Sequence, residues 1–415
     1  MADMKVPSAR RQASVRFILV TLIIDALGFG LVVPIIPPLV LKLSGEGIAS
    51  ASLWVGALLS MFAVMQFFCA PILGGLSDRF GRRPVLLLSL SGICANYLLL
   101  AWAPSLAWLF LGRLIAGATA ANASTANAYI ADVTPLEKRA SQFGLVGAAF
   151  GIGFVVGPAL GGVLGGYGLR LPFLVAAGLA GSNLIYGAFV LPESLTPERR
   201  RMFSWQRANP WGSAHMVFVD PILRRLALNW CCMWFALAAI PSSFVLANTM
   251  RFGWDSRQNG LALGMAGLAS AVVQGLLVRR IVPALGERRA ALAGALLTGS
   301  GYACQGFAPA PVFVFIGIGL QAMGAFGNAA VQAMVSAEAG ADRQGETQGA
   351  LSSLQGLTAI LSPLLATTLF STFARPGAAF VFPGAPFLAS SLVCLMGFWA
   401  ILGLRGGRSA LAADV

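Results

Sequence analysis

Apolar runs of about twenty residues recur along nearly the whole of this 415-residue chain. A bilayer core is crossed by roughly 20 mainly apolar residues in a helix. Lipid offers backbone amides no partners, so a span must satisfy them internally. The runs fall near 15–39, 51–76, 84–103, 105–130, 139–166, 171–191, 223–248, 257–282, 290–308, 311–336, 346–371 and 385–404. Only 10% of residues are charged, against about a quarter in a soluble protein. The chain therefore reads as an all-α membrane protein of twelve transmembrane helices. Its one long polar connection, 192–222, separates a first six-helix bundle (1–191) from a second (223–415).

The formal charge of +13 would suggest nucleic acid in a soluble chain, but here the basic residues lie in alternate loops. With the N-terminus inside, 22 of the 28 lysines and arginines fall on the cytoplasmic side and five outside, as the positive-inside rule requires. Both termini are then cytoplasmic, and no nucleic-acid partner is expected. The first apolar run has no small-residue cleavage site, so it reads as a retained helix. The remaining cation, Arg113, lies within a span. His215 is the one histidine, and the six cysteines sit in apolar runs without metal-ligand spacing. Neither a metal nor a cofactor is expected. No Walker-type glycine-rich lysine motif occurs, which argues against ATP-driven pumping.

The chain repeats itself. Phe80-Gly81-Arg82-Arg83 returns as Leu285-Gly286-Glu287-Arg288-Arg289, Gly112 to Gly117 as Gly319 to Gly324, and Gly157-Pro158 as Ser362-Pro363, at offsets of 205, 207 and 205. Two duplicated six-helix halves make a two-bundle, pseudo-symmetric transporter with its substrate site near the midplane.

Two ionisable groups lie clearly inside spans: Asp25 and Arg113. Such groups are functional candidates by default. On a functional reading Asp25 alternates between protonated and ionised forms; on a structural one a mutual or hydrogen-bonded neutralisation merely orients helices. Gln66, Asn96, Asn122, Gln274 and Gln321 are candidates for a polar-lined cavity, though each also suits interhelical hydrogen bonding. Trp54, Phe67, Phe68, Tyr97, Trp230, Trp234 and Phe235 are candidate aromatic lining residues. The loop from Gly74 through Asp78, Arg79, Gly81 and Arg82 to Pro84, with Asp132 and Arg139 nearby, reads equally as a breakable latch or a solvated topogenic cluster. Gly153, Gly157, Pro158 and Gly161 give one helix a small-residue face and a proline bend.

Gly74 to Arg83 resembles the loop 2–3 signature of the major facilitator superfamily, and Leu109-x3-Arg113-x3-Gly117 its helix 4 signature. Gly153-x3-Gly157-Pro158-x2-Gly161-Gly162 resembles the helix 5 signature of the drug/proton antiporter branch. Within it, IIDALGFGLVVPIIP and MQFFCAPILGGLSDRFGRRPVLLLSLSG are similar to the bacterial tetracycline/proton antiporters. The resemblance implies a multi-pass protein of the bacterial inner membrane. It also implies proton coupling through Asp25 and Arg113, a cytoplasmic gate of Asp78 and Arg82 with Asp132 nearby, and cavity positions at Gln66 and Gln274. Three family groups are replaced: a helix 3 carboxylate by Asn96, a helix 9 carboxylate near Thr298 and a helix 8 histidine near Ser270. Coupling then rests mainly on Asp25, with Glu338 a weaker candidate.

The expectation is secondary efflux of a drug-like small molecule in exchange for protons by alternating access, in a protein working as a monomer in the lipid bilayer. A facilitator or importer of a neutral or anionic metabolite is the alternative. An enzyme is disfavoured, because the spans lack paired acids or a nucleophile–base set.

Overall fold

The computed structural model describes residues 8–205, 209 and 220–404, so His215 and much of the predicted linker lie outside the described residues. All regular structure within them is helical. The first unit is built from α1 (Ser8–Val32), α2 (Ile36–Ser44), most of α3 (Ile48–Phe80), α4 (Arg82–Trp102), α5 (Leu106–Ala118), α6 (Asn122–Val133), α7 (Leu136–Tyr167) and α8 (Leu171–Val190). The second carries α9 (Pro221–Ala238), α10 (Ile240–Phe252), α12 (Val278–Leu285), α13 (Glu287–Phe307), α14 (Pro311–Gly324), α15 (Phe326–Ala374) and α16 (Ala385–Leu402). Two segments are exchanged. Ile48–Gly56 of α3 belongs to the second unit, and Trp254–Gly267, which opens α11 (Ser256–Val272), to the first.

Local chemistry explains several boundaries. Asp220 caps α9 by accepting from the amides of Ile222 (2.8 Å) and Leu223 (3.1 Å), with Pro221 in the first turn, where a missing N–H costs nothing. The predicted short turns between spans 3–4, 5–6 and 9–10 are each three residues long. Gly340 breaks α15 with φ 67° and ψ 168°, a conformation essentially reserved for glycine.

Ten described helices are long and apolar enough to cross a bilayer, or eleven if α9 and α10, bent by 42°, form one span. The ninth predicted span is helix α13, which Thr298, Ser300, Tyr302 and Gln305 make less apolar. Three further predicted spans are not continuous, the tenth (311–336) being interrupted at Ala325. The first breaks between Val32 and Ile36, and the fourth between Ala118 and Asn122.

These breaks recur with the duplication. α4 and α13 are related by a shift of 205 at both ends, and the break after α5 returns at Ala325 between α14 and α15. The break after α1 returns at Ala239, and Gly340 stands where Pro135 precedes α7. Gly81 (φ 112°, ψ 161°) and Gly286 (φ 76°, ψ 152°) open the equivalent helices in the same rare conformation. Each unit has its own apolar centre: Phe17, Leu22, Leu86, Tyr129 and Ile130 in the first, and Leu226, Phe326, Val331, Leu351 and Ile401 in the second.

Candidate functional site

The membrane-embedded polar cluster of the first unit forms where α1, α4, α5 and α6 meet. Asp25 Oδ2 accepts from Asn122 Nδ2 at 2.5 Å. Asp25 Oδ1 is buried with no partner, as is Asn122 Oδ1. Asn122 is the first residue of α6, so the break at 119–121 delivers both its side chain and a helix N-terminus, with its partial positive charge, to the carboxylate. Arg113, at 6% exposure, donates from Nη2 to Asn96 Oδ1 at 3.1 Å and lies over the Phe62 ring, 5.8 Å from its centroid. No carboxylate of a described residue lies within 4 Å of Arg113. Asp25 and Arg113 thus take separate amide partners and do not pair with each other. Tyr97 is within electrostatic reach of both, and its ring packs where a side chain on Gly28 would stand.

The helix 5 motif packs directly on α1. A Cβ on Gly157 would lie 2.7 Å from Gly30 Cα and 2.8 Å from Leu27 O, and one on Gly153 would lie 2.7 Å from the Leu27 amide. Gly161 meets Leu31 in the same way. Pro158 stays inside a continuous α7. Gly147 and Gly151, by contrast, have nothing within 4 Å. The small-residue face therefore divides, and the half that packs holds the stretch immediately after Asp25.

The loop residues form a second cluster. Arg82 Nη1 pairs with Asp78 Oδ1 at 2.5 Å and Nε with Asp132 Oδ2 at 3.1 Å. Ser194 Oγ also donates to Asp132, at 3.2 Å. Glu193, absent from the sequence candidates, accepts from the amides of Arg82 (2.8 Å), Arg83 (3.2 Å), Ser194 and Leu195 (both 3.0 Å). It supplies the acceptors that the first turn of α4 lacks from its own cap. A Pro-Glu-Ser run just past a span was the available signal. Arg79 stacks on Phe80 instead of joining the ion pairs, and Gly74 borders a cavity of about 230 Å³ with Asp78 and Phe203. Arg139 caps α6 through the carbonyls of Ala131 and Thr134 and takes no part in the cluster.

Gly81 is the tightest point there. Its backbone conformation favours glycine alone, and a Cβ would lie 2.6 Å from the Glu193 carboxyl carbon. Gly81→Ala should cost about 1–3 kcal/mol in backbone strain and displace Glu193. A lowered thermal midpoint of the purified variant checks this, and an unchanged midpoint would refute it.

Of the other cavity candidates, Gln66 is exposed on α3 beside Gly117, while Asn96 and Asn122 are buried. In the second unit Gln274 is exposed in a π-helical turn, Val273–Leu277. Gln321 has a buried, unpartnered Nε2 and packs on Gly301. Thr21 donating to Asn183 Oδ1 at 3.2 Å is a buried polar contact the sequence did not single out.

The comparisons agree with this arrangement of helices. The chain is 39% identical to the tetracycline resistance protein, class C, of Escherichia coli over 92% of its own length and 96% of the relative's. It is 29% identical to multidrug resistance protein 2 of Bacillus subtilis (strain 168), covering 88% of the chain and 90% of the relative. Among solved structures it matches the human organic anion transporter MFSD10 (TETRAN) with a TM-score of 0.68 and 26% identity, covering 94% of this chain and 99% of that one. The model of the Major Facilitator Superfamily matches residues 18–285, spanning both the Asp25 cluster and the Arg82 loop. This multi-pass, all-α chain belongs to the Major Facilitator Superfamily.

Proposed function

We propose that the protein exports a drug-sized organic molecule across a bacterial inner membrane in exchange for protons. The observation that carries the reading is Asp25, a carboxylate inside a span with one oxygen on an amide and the other unpartnered. Such a group costs about 2.5–3.5 kcal/mol on insertion scales, a cost that purely structural roles avoid. A carboxylate that binds a proton on one side and releases it on the other supplies the coupling. Two six-helix halves, 1–191 and 223–415, joined by the 192–222 linker, provide twelve spans with both termini cytoplasmic, and the site opens to the two sides of the membrane in turn. The Asp78–Arg82–Asp132 cluster serves as the cytoplasmic gate, and a single chain suffices. The names of the relatives support drug export, tetracyclines included, over enzymatic chemistry.

The test is accumulation of tetracycline in inverted membrane vesicles carrying an imposed proton gradient. Accumulation that collapses with a protonophore is expected. Accumulation indifferent to the protonophore would refute proton exchange.

A further inference from the structure

Arg113 is the cation that the membrane cluster leaves uncompensated. A guanidinium presents a planar fork of five N–H donors suited to a carboxylate. Here one donor meets the neutral Asn96, and Nε is buried with no acceptor. The only carboxylate in the cluster, Asp25, is held by Asn122. A buried charge is retained at a loss unless an opposite charge reaches it. Beside Arg113 runs an apolar crevice lined by Ile36, Leu39, Leu58, Leu100 and Leu109. Its free space is about 10 Å³, room for no more than one water, so a ligand enters only when the lining helices part. A guanidinium held by an amide and an aromatic face, with no carboxylate partner, against an apolar wall matches a molecule with an apolar body and one negative group.

We propose that Arg113 is the counter-ion for an amphipathic organic carboxylate, and that Asn96 is the residue that keeps it available. An acid at position 96 would occupy the fork; the amide aligns Arg113 without neutralising it. The inference rests on the export reading of the same site and narrows its substrate class.

The test compares 2-naphthoate with its uncharged isostere 2-naphthamide, as binding to purified full-length protein and as proton-driven uptake into inverted vesicles. The wild type should prefer the carboxylate by about tenfold or more, the scale of a hydrogen bond to a charged group. Asn96→Asp, nearly isosteric, should pair with Arg113 and bring the two compounds within about twofold, with its thermal midpoint unchanged or raised. Asn96→Ser, which stays neutral, should keep the preference. Equal binding by the wild type, or a preference that survives in Asn96→Asp, would overturn the proposal. If tetracycline still moves with protons while no carboxylate preference exists, this inference alone fails. A carboxylate preference without proton movement leaves the Arg113 site standing and removes the exchange reading.

Discussion

Asp25→Asn is expected to abolish uphill transport while sparing downhill exchange. The substitution keeps the side-chain shape, and Asn122 Nδ2 still finds an oxygen to donate to. It removes the one property the proposed mechanism needs there, a proton that comes and goes. Accumulation against a gradient should fall about a hundredfold or more, the scale on which a lost proton-transfer group is felt. Counterflow, in which labelled substrate exchanges for unlabelled with no pH difference, should stay within about threefold of wild type. Proton release on adding substrate to purified protein should vanish in the same variant. Full uphill accumulation by Asp25→Asn would remove this carboxylate from coupling.

Gly157→Val should be nearly as damaging, through packing alone. The atoms a side chain would meet, Gly30 Cα and Leu27 O, are backbone and cannot rotate away. The α1–α7 crossing must open, and overpacking of this kind costs about 1–3 kcal/mol, occasionally more. The displaced stretch begins two residues after Asp25, so transport should fall together with the thermal midpoint. Gly151→Val, on the same helix but with nothing within 4 Å, is the control and should change the midpoint little. Equal damage from both would show that α7 responds to lost glycine as such, not to close approach. Gly30→Ala with Gly157→Ala should be less harmful than the sum of the singles, since the two clash at one crossing.

The length of each apolar run, the loop signatures and the half-chain offset make the class of fold legible in the sequence. The broken helices are not. Gly117-Ala-Thr-Ala-Ala-Asn122 contains no proline and no polar run, so nothing in its composition marks the interruption that brings Asn122 to Asp25. Asp25 and Arg113 were recognisable as charges out of place, but hydropathy says nothing of which neighbour each will bond. Their separate amide partners emerge only from the register of α1, α4, α5 and α6. Glu193 escaped notice for a related reason: an acid in a connection has no period, and its role depends on four amides gathered from two stretches of chain.

The duplication repeats the helix ends but not the chemistry. Shifted by 205, Asp25 becomes Trp230, Asn96 becomes Gly301, Arg113 becomes Ile318 and Asn122 becomes Gly327. The polar cluster therefore exists in a single copy, and in the proposed exchange Asp25 would carry one proton per cycle. That fixes the electrical leverage of the machine. Expelling a monoanion while admitting one proton moves two elementary charges in the same electrical sense. At 100 mV each is worth about 2.3 kcal/mol, enough together to hold a concentration ratio of roughly three decades. A monocation exchanged for the same proton would draw nothing from the voltage. If the Arg113 proposal holds, the neutral residue at position 96 thus decides whether the membrane voltage adds to the proton gradient in driving export.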